Sequence, residues 1–379
     1  MAAPGRGRTR AEPLGGRVAA SEVYTWEPSD ATLAARWGVP VERIARFDLN
    51  TSPVAPAFLE DALREPFVPP LNEYPDSEYR ELTAAAAAYS HAASDEVIVG
   101  AGADEVLDLV AKACLPSGGA AVVPVPTYGM YPVLTSQRGA EVRRVARRGP
   151  DDSWGLDVEA LVARLPGAQV VWLCTPNNPT GAPEAPEALQ AVLEASARLA
   201  PEPPVVVVDE AYHEFWPHTI APLRSRFPEL LVVRTVSKAF ALPSVRVGWA
   251  VGARPLIARL ERIRPPGSIS TISAALASRA LRRPDEAAER AAGLAAERDW
   301  LAARLAETGR TPYASVTNFV LVPVGDFEAA QALARDLLRD GIVPRTFPED
   351  SPVAGHLRFT VRSRPENERL VAALARLTP

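Results

Sequence analysis

Three stretches leave this chain little freedom in how it folds: Gln169–Cys174 (QVVWLC), Val205–Val208 (VVVV) and Leu231–Arg234 (LVVR). None shows the in-out alternation of a half-solvated strand, and each runs into polar residues and then a further element. A strand that is apolar on both sides needs both of its faces covered, which implies a mostly parallel sheet between helical layers, an α/β fold. The surrounding pattern agrees. Strands are expected at Val97–Val99, Ala120–Val123 and Glu141–Val145, and helices at Ala57–Arg64, Glu78–His91, Val106–Cys114, Tyr131–Arg138, Val158–Leu165 and Pro186–Leu199. Ligands of such sheets sit outside the carboxyl ends of the strands.

Beyond Pro265-Pro266-Gly267 the pattern changes. A helical tract, Ser273–Leu305, is interrupted at Pro284 and followed by strand Asn318–Val322, helix Ala329–Arg339, strand His356–Val361 and helix Pro365–Leu377. This describes a smaller α+β unit. The expected division is an N-terminal arm over 1–48 that joins the small unit, with residues 1–20 flexible, then a large unit over 49–267 and the small unit over 268–379.

Composition excludes several classes of function. With 379 residues, 47% of them apolar, the chain is long enough for two units and a large core. Its net charge of −5 argues against nucleic acid or an anionic membrane as partner. No apolar run reaches the length of a membrane span, and the first twenty residues lack the core of a secretory signal. Cys114 and Cys174 lie in apolar surroundings without metal-ligand spacing, so they read as free thiols of a cytoplasmic protein, with no metal site. His91, His213, His218 and His356 show neither triad nor metal spacing.

Arginine is abundant, yet the chain has only two lysines, Lys112 and Lys238. Lys238 follows one of the buried strands. Arginine stays protonated at working pH, whereas a desolvated lysine releases its proton, and only the free amine forms a Schiff base.

Other groups are delivered to the same edge. Gly100–Asp104, with Gly102, Ala103 and Asp104, opens a helix with small residues and exposed N–H groups, which suits a phosphate. Thr235, Ser237 and Arg246 add hydroxyls and a guanidinium. Tyr128 presents an aromatic face to a flat ring. Asp209, ending the VVVV strand, needs a cationic partner such as a protonated ring nitrogen. Asn178 and Tyr212 suit a phenolic oxygen, and Lys238 an aldehyde. Singly, each has another reading: nucleotide binding or plain structure for the glycines, a phosphohydrolase-type metal ligand for Asp209, a simple turn for NNPTG. Together they describe pyridoxal 5′-phosphate, whose ring serves as an electron sink.

The same segments carry a family resemblance. NEYPD (72–76), GADE (102–105), PTYGMY (126–131), TPNNPTG (175–181), DEAYHEF (209–215), RTVSKAFALPSVRVG (234–248), TNFVL (317–321), GIVPR (341–345) and LRFTV (357–361) span nearly the whole chain. With these the chain resembles the fold-type I pyridoxal-phosphate enzymes of the class I and II aminotransferases, and among them the histidinol-phosphate aminotransferases. The resemblance implies a large unit with a seven-stranded-type, mostly parallel sheet and a small α+β unit. It implies a homodimer acting on a small-molecule amino donor and a keto-acid acceptor. It casts Lys238 as Schiff-base lysine and proton shuttle, Asp209 as partner of the ring nitrogen, and Asn178 and Tyr212 as partners of the phenolic oxygen. Tyr128 would stack on the ring. Gly102, Ala103, Asp104, Thr235, Ser237 and Arg246 would surround the phosphate, joined by Tyr74 of the neighbouring subunit. Arg358, Arg345, Tyr24 and Asn50 would contact substrate. The family pattern SNENPxGP is replaced by LNTSPVAP (49–56), in the segment that lines the substrate pocket. ALPSVR (241–246) is also similar to threonine-phosphate decarboxylases. Decarboxylation, elimination or replacement on the same cofactor therefore stays open beside transamination, as does a non-catalytic binding or regulatory protein.

Overall fold

The computed structural model describes residues 27–377. Eleven strands occur among them: β1 (Ala45–Arg46), β2 (Val97–Gly100), β3 (Ala120–Val125), β4 (Glu141–Ala146), β5 (Val170–Cys174), β6 (Val205–Asp209), β7 (Leu230–Thr235), β8 (Gly248–Gly252), β9 (Phe319–Pro323), β10 (Ile342–Val343) and β11 (His356–Thr360). Seven of them form one sheet in the order β2-β8-β7-β6-β5-β3-β4. Only β8 runs against its neighbours, pairing antiparallel with β2 and β7. The sheet is thus mostly parallel, as the unbroken apolar strands require. Within this sheet, the apolar run at Gly248–Gly252 is the strand whose direction the strand–helix alternation did not foretell.

Successive residues of the buried strands serve opposite cores. Val205 and Val207 pack on one face with Trp172, Val233 and Leu107, whereas Val206 and Val208 pack on the other with Val171, Val232 and Val192. The first face is covered by helices Ala103–Cys114 and Arg254–Glu261, the second by Val158–Val162 and Pro186–Ala197. Full burial of each such side chain is worth about 1.5–3 kcal/mol, so neither face tolerates a polar residue along these strands. Polar residues appear where the strands leave the sandwich, and that is how the fold gathers a site at one edge.

The remaining strands form two pairs. β11 pairs antiparallel with β9, and β1 pairs parallel with β10. Ala45 and Phe47 pack there among Leu301, Val320, Leu337, Phe359 and Leu370, so the segment ahead of the large sheet shares a core with the end of the chain. Pro284 does not kink one long helix. It opens a second one, Pro284–Glu307, after Thr271–Leu281, since a proline in the first turn removes no helical hydrogen bond. The helix expected from Val106 begins at Ala103, and the one expected to reach Leu165 ends at Val162. Among the described residues no helix is long and apolar enough to cross a membrane.

Candidate active site

β5 and β6 end level, with Cys174 opposite Asp209, and β7 runs two residues further, since Asp209 lies opposite Val233. Asp209 is buried, and its carboxylate accepts from the Tyr131 hydroxyl at 2.8 Å and from the Ala211 N–H at 3.0 Å. Burial outweighs these two bonds and pushes the Asp209 carboxyl up to about 6. Such a carboxylate favours a cation beside it.

Lys238 lies three residues beyond the end of β7, with its ammonium 5.6 Å from the centre of the Tyr212 ring. Burial is the main reason its amine is brought down to about 8, and the charge of Arg358 adds to this against the opposing Asp104 and Asp209. A substantial share of the amine is therefore free near pH 8, the state a nucleophilic lysine needs.

The small residues around Gly102 meet the β7–β8 turn at close quarters. Gly102 has φ +86°, and a Cβ there would lie 2.4 Å from Arg246 Nη2. A Cβ on Gly248 would lie 2.3 Å from the Ala103 nitrogen. Both glycines are thus required for the helix start and Arg246 to share one place. Arg246, with left-handed backbone (φ 52°), pairs with Asp104 at 3.3 Å, and Asp104 also accepts from the Tyr128 hydroxyl at 2.9 Å. The pair is half-exposed, so it is weak and readily exchanged. Beside it the Thr235 hydroxyl donates to Ser237 Oγ at 2.9 Å and accepts from the Ser237 N–H at 3.1 Å. A helix start, two hydroxyls and a guanidinium make a cradle that fits a phosphate.

Arg358, whose charge also acts on Lys238, is buried on β11. Its Nη1 donates to Asn178 Oδ1 at 2.5 Å and its Nη2 to the Asp48 carbonyl, while its Nε has no partner. Its guanidinium lies 5.2 Å from the Phe319 ring centre, and burial lowers it to about 10. Among the described residues Arg358 has no carboxylate partner, so it is a buried cation held by neutral acceptors. Tyr212 receives a bond of 2.8 Å from Asn50 Nδ2, and burial raises its hydroxyl far above the ordinary range. Asn50, with left-handed backbone, is locked by Thr360 and Asn318. Arg345 forms an antiparallel bridge with Arg358 and pairs through its side chain with Glu27.

The structure therefore joins Gly102, Ala103, Asp104, Tyr128, Thr235, Ser237 and Arg246 in one cluster. Tyr212 bonds Asn50, Asn178 bonds Arg358 and Arg358 bridges Arg345, and the Lys238 amine feels the charges of Arg358, Asp104, Asp209 and Arg246. Tyr74 stands apart and is 92% exposed. Tyr24 lies outside the described residues.

Three supporting groups carry no signal of their own in the sequence motifs. Tyr131, stacked on Trp172 at 5.6 Å, orients Asp209. Its position in PTYGMY, three residues after Tyr128 and in the first turn of helix Met130–Gln137, is the nearest thing to a mark. Asn177, not Asn178, anchors the turn after β5 through Arg147, Thr127 and Pro126, and Arg147 is itself paired with buried Glu184. Glu210 ties β6 to β7 through Arg234 at 2.8 Å and to Thr219. Such distant ion pairs leave no local mark in an arginine-rich sequence.

Comparison with known proteins agrees with this geometry. Residues 49–374 match the family described as Aminotransferase class I and II. The chain is 37% identical over 310 residues to the histidinol-phosphate aminotransferase of Cronobacter sakazakii, covering 80% of this chain and 83% of that one. The histidinol-phosphate aminotransferase of Escherichia coli K12 is 36% identical, covering 80% and 84%. Among solved structures, the histidinol-phosphate aminotransferase of Sinorhizobium meliloti in complex with pyridoxal-5′-phosphate superposes with a TM-score of 0.83 at 26% identity, over 93% of this chain and 95% of that one. The aspartate aminotransferase of Thermus thermophilus with maleate has the same fold, with a TM-score of 0.78 at 22% identity over 97% and 100% of the two chains. A family match over residues 49–374, a relative 37% identical over 80% of the chain and the shared fold show that the chain belongs to the class I and II aminotransferases and is a pyridoxal-5′-phosphate-dependent enzyme of the fold-type I class.

Proposed function

We propose that the chain transfers the amino group of histidinol phosphate or a similar phosphorylated amine to a keto-acid acceptor such as 2-oxoglutarate, with Lys238 as the catalytic lysine. The observation that carries this is the partly buried Lys238, lowered to about 8, whose amine feels the charges of Asp104 and Arg246 and of Arg358, a buried cation with no carboxylate partner among the described residues. Gly102, Ala103, Asp104, Thr235, Ser237 and Arg246 would hold the cofactor phosphate. Tyr128 would cover the ring, Asp209 would keep its nitrogen protonated, and Asn178 and Tyr212 would bond its phenolic oxygen. Bound there, pyridoxal 5′-phosphate supplies an aldehyde for the amine and a ring that takes up the electron pair released at the substrate Cα. The Lys238 amine would be the group that takes the proton from that Cα and carries it onward. Arg358, with Asn50 at its side, orients the substrate by its anionic group, and Arg345 takes a phosphate or second carboxylate. Tyr24 would close the same pocket.

A homodimer belongs to this reading. Val54, Leu63, Val68, Leu71 and Tyr74 are all exposed and fall within twenty-one residues, an apolar concentration that suits a second copy. Tyr74 would then reach the partner's cofactor phosphate, and sedimentation at twice the chain mass is the expected result. The free thiols of Cys114 and Cys174, both buried, support a cytoplasmic location. The division into an arm over 1–48, a large unit over 49–267 and a small unit over 268–379 is part of the same proposal.

The test is spectroscopic. Holoenzyme mixed with L-glutamate, and separately with histidinol phosphate, is expected to lose its lysine-bound cofactor absorbance and yield pyridoxamine phosphate with both donors. Loss with glutamate alone would overturn the histidinol-phosphate assignment. Loss with neither, and release of CO2 from an amino-acid phosphate instead, would replace transamination with decarboxylation.

Two further outcomes follow from the site. Only the free amine of Lys238 captures the aldehyde, so the rate of cofactor uptake by apo-protein is expected to rise with pH through about 8 and then level, measured by absorbance after mixing. A curve still climbing steeply at pH 10 would contradict the lowered value. For Arg358→Lys, which keeps the charge but not the fork that spans Asn178 and Asp48, KM for the keto acid is expected to rise roughly 10- to 100-fold, from about 1.5–3 kcal/mol of charge-assisted bonding.

A further inference from the structure

Arg345 and Arg358 lie directly opposite each other, exchanging backbone hydrogen bonds of 3.0 Å in both directions. Directly opposed residues of an antiparallel bridge project their side chains to the same side. Two guanidinium groups are thus mounted as neighbours, and their environments differ. Arg358 is held by the Asn178 amide oxygen and the Asp48 carbonyl, both neutral. The Asp48 carboxylate is turned away and engaged by Arg46 at 2.7 and 2.8 Å. Arg345, by contrast, carries an ion pair with Glu27, a residue 318 positions earlier in the chain. Both members of that pair are largely sheltered, with side-chain exposures of 30% and 19%. The carboxylate comes from a remote segment and already takes Arg345 Nη1, one of the donors an anion bound to Arg345 would use.

We propose that Glu27 is an internal competitor for the anion subsite of Arg345, occupying it when the substrate brings no anionic group there and displaced when the substrate does. The proposal rests on the reading of Arg345 as an anion-binding residue. An aminotransferase receives two different substrates in one site in turn. A bare Arg345 beside Arg358 would be an uncompensated, partly buried cation next to another, which is costly. A substrate anion and the Glu27 carboxylate together would place like charges on one guanidinium, which is also unfavourable. Exchange between the two satisfies both constraints. Glu27 thereby sets how strongly the enzyme favours a substrate with an anionic distal group over one without.

The test uses holoenzyme at pH 8, with inorganic phosphate and acetate as competitive inhibitors. Acetate has one small anionic group for Arg358, whereas the phosphate dianion engages Arg345 as well. Glu27→Gln is expected to tighten phosphate roughly three- to tenfold, as removal of a partly sheltered ion-pair partner implies, and to leave acetate within about twofold. Arg345→Gln is expected to weaken phosphate at least about tenfold, and adding Glu27→Gln to it should then change nothing further. If Arg345→Gln leaves phosphate binding unchanged, both the anion reading of Arg345 and the role of Glu27 fall. If it weakens phosphate but Glu27→Gln does not tighten it, only the Glu27 proposal falls. Equal tightening of phosphate and acetate also overturns it, because that marks a general field effect. Glu27→Asp keeps the charge but shortens its reach, and an intermediate phosphate constant is expected. It serves as the second variant should Glu27→Gln lose the cofactor absorbance that reports an intact site.

Discussion

Lys238→Ala is expected to lower turnover by at least about 10²- to 10⁴-fold, the range associated with losing a positioned proton-transfer group, to which loss of the covalent lysine link adds. The fold should survive. Lys238 makes no ion pair among the described residues, and its burial lowers the amine to about 8, so removing the group relieves a desolvation cost rather than breaking a bond. The cofactor should still bind through the cradle of Gly102, Thr235, Ser237 and Arg246, but without the absorbance of the lysine-bound form. Steady-state kinetics with a cofactor spectrum checks this. A variant with near wild-type turnover would remove Lys238 from the mechanism, and partial rescue by added small amines would support its role in proton transfer.

The second large effect concerns Asp209 and separates stability from activity. Its carboxyl, ordinarily at 3.8, is pushed by burial up to about 6 in the folded chain. A folded value above the unfolded one means that the native state holds the proton more tightly. The stability this confers is complete below about pH 4 and is lost as pH rises through about 6. At pH 8 the apo-protein carries an ionised, buried Asp209 at a cost of about 3 kcal/mol. Asp209→Asn keeps the bond from the Ala211 N–H and can donate its amide to the Tyr131 oxygen. The apo-variant should therefore unfold at a higher temperature than apo wild type at pH 8, with the difference shrinking toward pH 4. Activity should move the opposite way and fall about 10³-fold, since a neutral amide does not hold a ring nitrogen protonated. Thermal unfolding of both apo-proteins between pH 4 and 8, with steady-state rates of the holo-forms, tests both halves. A variant less stable at pH 8 with unchanged activity would refute the role.

The cost that Asp209 imposes on the empty chain is what makes it legible in sequence. A carboxylate at the end of VVVV has no reason to be there unless something cationic binds, and the same holds for a lysine kept among arginines. Cofactor chemistry imposes residue types that break the local apolar pattern, so Lys238, Asp209, Asn178 and the glycines near residue 102 stand out in the linear chain. Tyr131, Glu210–Arg234 and Arg147–Glu184 do not stand out, because each is an ordinary residue whose meaning comes from a partner tens of residues away.

By itself the sequence determined the α/β class, the parallel character of the central strands, the edge at which the site lies and the cofactor it suits. Burial on both strand faces and the requirements of the chemistry are local constraints, written residue by residue. The tertiary structure alone decided that β8 runs antiparallel, that Phe47 joins the core formed by residues 301–374, that Gly102 and Gly248 leave room for Arg246, and that Glu27 rests on Arg345. Those outcomes depend on which surfaces meet across the molecule, and contact between positions 27 and 345 leaves no periodicity or composition to read.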